Sequence, residues 1–366
     1  MSNRYITYSP ALTLVPTYEC FNRCSYCNFR VEPGQDAWLS LDEAERQLRS
    51  FGVGRTPSVP SPLRPSAEPS SRQSAERHIP VVTEILILSG EVHPQSLRRS
   101  PWFQRIYDLC QLALELGFLP HTNAGPLSFG EMEQLKSVNV SLGLMLEQMT
   151  PRLLETVHRD APSKQPERRL EQLDWAGQLR IPFTTGLLLG IGEDRSDRIT
   201  TLEAIAECHQ RWGHIQEVIL QPHSPGRTQG FLAGAFAAES LIETVALARA
   251  ILPGRSPTIP PNLAQSPEIL LACLEAGARD LGGIGPVDEV NPDYDHPEVR
   301  RLSWQLAQAG WELVPRLPVY PQYLSWLAPG LRARCLAAQA AWVGEGHHPA
   351  AGAGAVGSGT GGSGKD

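Results

Sequence analysis

The sequence predicts an α/β protein, a TIM-type (β/α)8 barrel or a partial form of it with a six-stranded core. Apolar, β-favouring runs alternate with stretches of helical spacing about eight times, the pattern of repeated βα units. Several of the runs are almost continuously apolar, as strands buried on both faces must be. Helix-start signals recur between them. An open doubly wound sheet is the rival architecture.

The elements follow in order. Strand-like runs fall at Leu12–Val15, Glu84–Leu88, Phe118–His121, Val140–Leu146, Phe183–Leu189, Glu217–Leu220, Ser256–Ile259 and Ala278–Leu281. The seventh is the least marked, which keeps the six-stranded core open. Helical spacing links Leu41, Ala44, Leu48 and Phe51, and again Phe103, Ile106, Cys110 and Ala113. Ser40-x-x-Glu43, Ser128-x-x-Glu131 and Thr200-x-x-Glu203 match the capping box, and Ser266-Pro267 places proline at a first helical position. Residues 1–343 are therefore expected to form the barrel. Two segments are expected to be disordered: an insertion at about 55–80, rich in Pro, Ser and Arg, and a Gly/Ala-rich tail at 344–366. Neither has the large apolar residues needed to bury surface. Deleting Arg55–Pro80 is expected to leave activity largely intact, and a cluster-loaded but inactive deletion protein is the result that would contradict this.

Composition narrows the class. The chain has 366 residues, 41% of them hydrophobic, and a net charge of −7. No block of basic residues suggests a nucleic-acid surface, and no apolar run reaches the ~18 residues of a membrane span. Seven cysteines without a secretory segment point to a reducing, cytoplasmic setting.

Chemistry concentrates in Cys20-Phe-Asn-Arg-Cys24-Ser-Tyr-Cys27. Thiolates hold iron–sulfur clusters, and three of them can hold a four-iron cluster with one iron left open. A structural zinc site would need a fourth Cys or His nearby, and none lies between Leu14 and Ser40. A disulfide reading founders on the odd count. Cys110, Cys208, Cys273 and Cys335 read as buried small hydrophobes. Other groups stand at strand ends, where a barrel carries its function: Ser89-Gly90-Glu91, His121 and Asn123, Glu147, the Gly190-Ile-Gly192-Glu193 loop, and Gly282-Gly-Ile-Gly285 after the last expected strand. Each has a plainer structural reading as well, in a turn, a helix cap or a salt bridge.

The cysteine spacing, with Tyr26 before the last thiol, resembles the signature of the radical S-adenosylmethionine (SAM) enzymes. That resemblance implies one [4Fe-4S] cluster on Cys20, Cys24 and Cys27, with SAM on the open iron, an electron donor such as ferredoxin or flavodoxin, and a 5′-deoxyadenosyl radical. Ser89-Gly90-Glu91 is similar to the family's Gly-Gly-Glu element, with Ser89 in place of the first Gly, and implies contact with the SAM amino group. Glu147 would meet the ribose hydroxyls and Arg169 the SAM carboxylate, with Arg168 as the alternative. Gly190 belongs to a stretch similar to the element packed around the adenine.

A narrower resemblance rests on Tyr8–Arg30, Gly143-Leu-Met-Leu-Glu147, His158-Arg-Asp-Ala-Pro-Ser-Lys164 and Phe183-Thr-Thr-Gly186. These are similar to the first subunits of the 7,8-didemethyl-8-hydroxy-5-deazariboflavin synthase family. The substrate so implied is a tyrosine-derived ribityluracil adduct supplied by the partner subunit. Hydrogen abstraction, ring closure, ammonia loss and oxidation would then give a deazaflavin. Asn28 argues against the partner subunit's own chemistry on tyrosine. Tyr26 and His223 are candidates for proton transfer without a signal to choose between them. Two other readings stay open here: a barrel radical SAM enzyme of biotin-synthase or hydrogenase-maturation type, and a non-catalytic cluster or zinc protein.

Overall fold

The computed structural model describes residues 4–51, 82–231, 233–255, 257–264 and 266–344. The expectations for 55–80 and for the tail beyond Gly344 fall outside these residues. Eight parallel strands close on themselves: β1 (Arg4–Leu14), β2 (Glu84–Leu88), β3 (Leu119–Asn123), β4 (Ser141–Gly143), β5 (Phe183–Leu189), β6 (Ile215–Pro222), β7 (Pro257–Thr258) and β8 (Asp280–Ile284). The order β2-β3-β4-β5-β6-β7-β8-β1, with β2 also paired to β1, completes the ring. The open sheet and the six-stranded core are thereby excluded. The weak seventh run is a strand of only two residues, held by Val218↔Pro257 and Thr258↔Asp280.

A ninth strand, β9 (Trp311–Pro315), was not expected from the sequence. It pairs with Arg4–Tyr8, the half of β1 that precedes the β2 ladder at Ala11–Leu14. Thr7 pairs with both β8 and β9, so these lie on opposite edges of β1. The chain then crosses the lower end of the barrel. Pro318 O accepts from Ser141 Oγ at 2.6 Å and Gln216 Nε2 at 3.0 Å, and Tyr323 OH donates to Ile215 O at 3.1 Å. Leu317, Val319, Tyr320, Tyr323 and residues of the last helix, α9 in chain order (Pro329–Gly344), bury a second apolar cluster there against Leu119 and Val140. One end of the barrel is thus floored, and the strand C-termini face the other.

The helices cover the outside in α1 (Leu41–Ser50), α2 (Arg99–Glu115), α3 (Phe129–Lys136), α4 (Pro166–Gln178), α5 (Arg195–Trp212), α6 (Ala238–Ile251), α7 (Pro267–Ala276), α8 (Val299–Gln308) and α9. β5 is buried at all seven positions, as a strand between barrel interior and helices should be. Ser40, Ser128 and Ser266 cap their helices as expected. The Thr200 expectation is corrected: it lies inside α5, whose cap is Asp194 with Asp197 answering reciprocally. Asp in both places satisfies the same orphan amides as Ser and Glu, so the box moved six residues upstream. Gly282 and Gly283 also lie within β8 rather than after it, and a Cβ on Gly285 would stand 2.6 Å from Ala11 O. Gly283 and Gly285 both meet Ala11 and let β1 and β8 approach, which is a barrel-closing role. Among the described residues no helix is long and apolar enough to cross a membrane.

Candidate active site

The cysteine loop leaves β1 and is organised by a buried carboxylate that sequence reasoning passed over. Glu19 accepts from Gly34 N at 2.7 Å, Asp36 N at 3.3 Å and Trp38 Nε1 at 3.1 Å, and pairs with Arg98 at 2.6 Å. Burial alone would raise its carboxyl, but these donors hold it below the usual carboxylate range. Backbone bonds then dock the loop on its neighbours: Phe21 N to Glu91 O, Arg23 N to Asp160 O and Ser25 N to Val157 O. The only local signal was a Glu beside the first cysteine.

Cys20, Cys24 and Cys27 are free and line one cavity at the strand C-termini, together with Ser89, Gly90, Glu91, Glu147, Lys164 and Arg169. Burial pushes the Cys24 thiol up to about 12 and raises Cys20 as well, with Glu91 adding to it. Thiolates in such a place need a cation beside them. Among the described residues, no three His, Cys, Asp or Glu side chains converge as for a single metal ion.

The charged residues come from separate βα connections and meet in pairs. Arg169, 1% exposed, donates to Ser163 O at 3.1 Å, Met145 O at 2.6 Å and Glu91 Oε1 at 3.0 Å. Arg168 is exposed and lines a different cavity. Of the two neighbours, the structure therefore places Arg169 with the cysteines. Glu91 also accepts from Asn22 Nδ2 at 2.8 Å and from Ser163 Oγ. Lys164 Nζ donates to Glu147 Oε1 at 2.5 Å. Burial and Arg169 press on the Lys164 ammonium, yet Glu147, Cys24 and Glu91 hold it above its ordinary value. Lys164 was missed as a site residue, although the loop containing it was noted. Glu147 adopts φ +65°, an uncommon backbone conformation for a residue with a Cβ.

Ser89 and Gly90 line the cavity, but their local roles are structural. Ser89 Oγ accepts from Trp102 Nε1 at 2.9 Å and donates to Gly90 O at 2.9 Å. A Cβ on Gly90 would lie 2.2 Å from Glu19 O, backbone against backbone. Gly90→Ala is accordingly expected to lower stability by ~1–3 kcal/mol, an overpacking cost, measured by denaturant unfolding of the apoprotein. Gly190 is not among the residues lining the cavity; its amide donates to Glu193 Oε1 at 2.8 Å, and Phe236 packs where its Cβ would be. Tyr26 OH lies 2.9 Å from His158 Nε2, and burial with Lys164 and Arg169 nearby drives His158 down to about 2. His158 therefore stays neutral beside Tyr26. His223 is buried below the loop at Gln229.

His121 and Asn123 line a second cavity that fills the barrel interior, and Leu88, Asn123, Met145, Gln221 and Val290 line both. The cysteine cavity thus opens into the barrel lumen.

Solved structures of like architecture include the FeFe-hydrogenase maturase HydG from Carboxydothermus hydrogenoformans, at TM-score 0.63 and 18% identity over 92% of this chain and 77% of that one. Methylornithine synthase (PylB) superposes with TM-score 0.62 and 16% identity, covering 85% of this chain and 84% of that one. At such identities they speak for the fold. No family model matches the chain. Curated relatives are far more similar. A 7,8-didemethyl-8-hydroxy-5-deazariboflavin synthase of Trichormus variabilis is 62% identical over 328 residues, 89% of each chain. Its counterpart from Nostoc sp. is 61% identical over 333 residues, 91% of each chain. With identity at that level over nearly its full length, and with the cysteine loop set in the mouth of a closed parallel barrel, the chain belongs to the 7,8-didemethyl-8-hydroxy-5-deazariboflavin synthase family.

Proposed function

We propose that this protein is a radical SAM lyase that forms the deazaflavin chromophore from the tyrosine-derived ribityluracil adduct, releasing ammonia. The observation that carries the reading is the shared cavity: three free thiols beside two carboxylates and two cations, opening into the barrel lumen. Cys20, Cys24 and Cys27 would hold a [4Fe-4S] cluster. SAM carries an α-ammonium and an α-carboxylate, and the cavity offers both signs, Glu91 and Glu147 against Lys164 and Arg169. When bound, the cluster and SAM supply a 5′-deoxyadenosyl radical once an electron arrives from a donor such as ferredoxin or flavodoxin.

The protein's own residues then have three tasks. Glu91 and Arg169, fixed by Asn22 and Ser163, orient the amino-acid end of SAM. Glu147 and Lys164 face the same space from the fourth and fifth strands' side and suit the ribose hydroxyls and carboxylate. The barrel wall excludes water from the reacting centre. Gly190 retains its place by resemblance in the loop near the adenine.

The test is anaerobic reconstitution with iron and sulfide, reduction, and incubation with SAM and the adduct. Deazaflavin fluorescence together with 5′-deoxyadenosine is the expected result. Deoxyadenosine without deazaflavin would discard this substrate while keeping the radical chemistry.

A further inference from the structure

The floor of the lumen is lined by polar groups that the cysteine cavity does not use. Glu84, His121, Thr184, Glu217, Thr258 and Arg316 all line it. Part of this set is internally satisfied. Arg316 donates to Asp280 at 2.5 and 2.8 Å and pairs with Glu217 at 3.2 Å. Asp280 also accepts from Thr7 Oγ1 and from Gly282 N at 2.7 Å. Asp280 and Arg316 therefore serve the fold, tying β8 to the crossing segment after β9.

The rest of the lining is rich in acceptors. Ser141 Oγ donates its one hydrogen to Pro318 O, so at His121 Nδ1, 2.6 Å away, it must accept. That fixes the tautomer and leaves His121 Nε2 bare. Burial, with Arg316 nearby, drives His121 down to about 3, so the ring is neutral. Thr258 is 1% exposed and presents its methyl rather than its hydroxyl to this space. Thr258 Cγ2 and Glu217 Oε1 flank the same space, 3.4 and 3.8 Å from where a Cβ on Gly282 would stand. Glu84 is buried beside them, and burial raises both its carboxyl and that of Glu217, the latter to about 7. Glu217 accepts from Thr184 Oγ1 at 3.1 Å and pairs with Arg316, so the donors this lining lacks are ones for His121 Nε2 and for the further lone pairs of the two carboxyls, and buried acceptors left unmet are costly.

We propose that the lumen floor is the binding subsite for the substrate's polyhydroxylated side chain, with Glu84, His121 and Glu217 receiving its hydroxyl donors. This rests on the proposed function for the identity of the substrate. A polyol suits the floor because each hydroxyl donates as well as accepts, and a chain can reach several walls at once. The phenol carries one donor on an apolar ring, and among the described residues no Phe, Tyr or Trp lines the lumen to receive it. A pyrimidine needs matched donors and acceptors, which the amides of Asn123 and Gln221 provide one level higher, where the two cavities join. Glu217 and Gln221 lie four residues apart on β6, about 13 Å along a strand. The chain would therefore point down and the hydroxybenzyl end up toward the cysteines.

The test compares kcat/KM for the ribityl adduct with that for an adduct carrying N-methyl in place of ribityl, in the reconstituted wild type and in Glu217→Gln and Glu84→Gln. The wild type is expected to prefer the ribityl adduct by ~10²-fold or more, since rejecting it leaves buried polar groups unpaired. Each variant is expected to cut that ratio about tenfold, the scale of one lost hydrogen bond to a buried group. Glutamine matches glutamate in shape, so Glu84→Gln keeps the test open if Glu217→Gln folds poorly. An unchanged ratio in both variants, or no preference in the wild type, would overturn the subsite. A wild type that converts neither adduct would instead overturn the proposed substrate, and the subsite with it.

Discussion

Cys24→Ala is expected to lose its iron on anaerobic reconstitution and to form no 5′-deoxyadenosine above background. Cys24 sits between the two other thiols in the same cavity, deep enough that burial pushes it up to about 12. With one thiolate gone, the described residues offer no neighbouring His, Cys or Asp cluster to replace it. Iron and sulfide content, with deoxyadenosine measured after reduction in the presence of SAM, reads both consequences. Full iron loading with normal SAM cleavage would sink the assignment of Cys24. The alanine itself should fold, because the loop is held by Glu19 and by backbone bonds to residues 91, 157 and 160 rather than by the thiol.

Arg169→Ala should have the second large effect, and on stability as well as chemistry. Its guanidinium is buried and bonded to two backbone carbonyls and to Glu91, with Glu147 3.8 Å away. Truncation leaves the Ser163 and Met145 carbonyls without their donor and deprives Glu91 of its cation, though Asn22 and Ser163 still reach that carboxylate. Breaking a buried pair from one side costs ~3–5 kcal/mol, so a marked fall in the unfolding midpoint of the apoprotein is expected. Arg169→Lys keeps the charge but cannot make three directed bonds, and should fall between alanine and wild type. Loss of SAM cleavage with unaltered stability would show that the arginine serves SAM and not the architecture. Arg168→Ala is the internal control: its exposed side chain lines a separate cavity, and its removal should be neutral within ±0.5 kcal/mol.

The cysteine motif was legible because all three ligands come from one short loop, so their relation is carried by spacing alone. β2 and β5 were legible to the residue, since each is an apolar run bounded by polar turns. β4 was expected through Leu146 but leaves its ladder at Gly143, and the chain turns at Glu147 with φ +65°. Nothing in a run of leucines records that turn. β9 went unseen because five residues following a helix carry too little periodicity, and its partner Arg4–Tyr8 lies some three hundred residues away. The Asp194–Asp197 cap was passed over for Thr200-x-x-Glu203 because Asp-x-x-Asp lies outside the Ser/Thr-x-x-Glu form of the capping box. Glu84, Glu217, Asp280 and Arg316 gave no sign of acting together. Each is a single charge at a strand end, and only closure of the ring brings them to one floor.

The sequence by itself determined what depends on neighbours along the chain: the three-thiol loop, the alternation of strand and helix, and the carboxylates at strand ends. Tertiary structure alone decided that the ring closes with eight strands, that Arg169 rather than Arg168 turns inward, and that Gly90 is required by the backbone of Glu19. It also decided that Glu84, His121 and Glu217 share one lumen. The reason is physical. Spacing and propensity are local quantities, whereas burial, ion pairing and hydrogen-bond satisfaction are settled between residues that meet only when the barrel shuts.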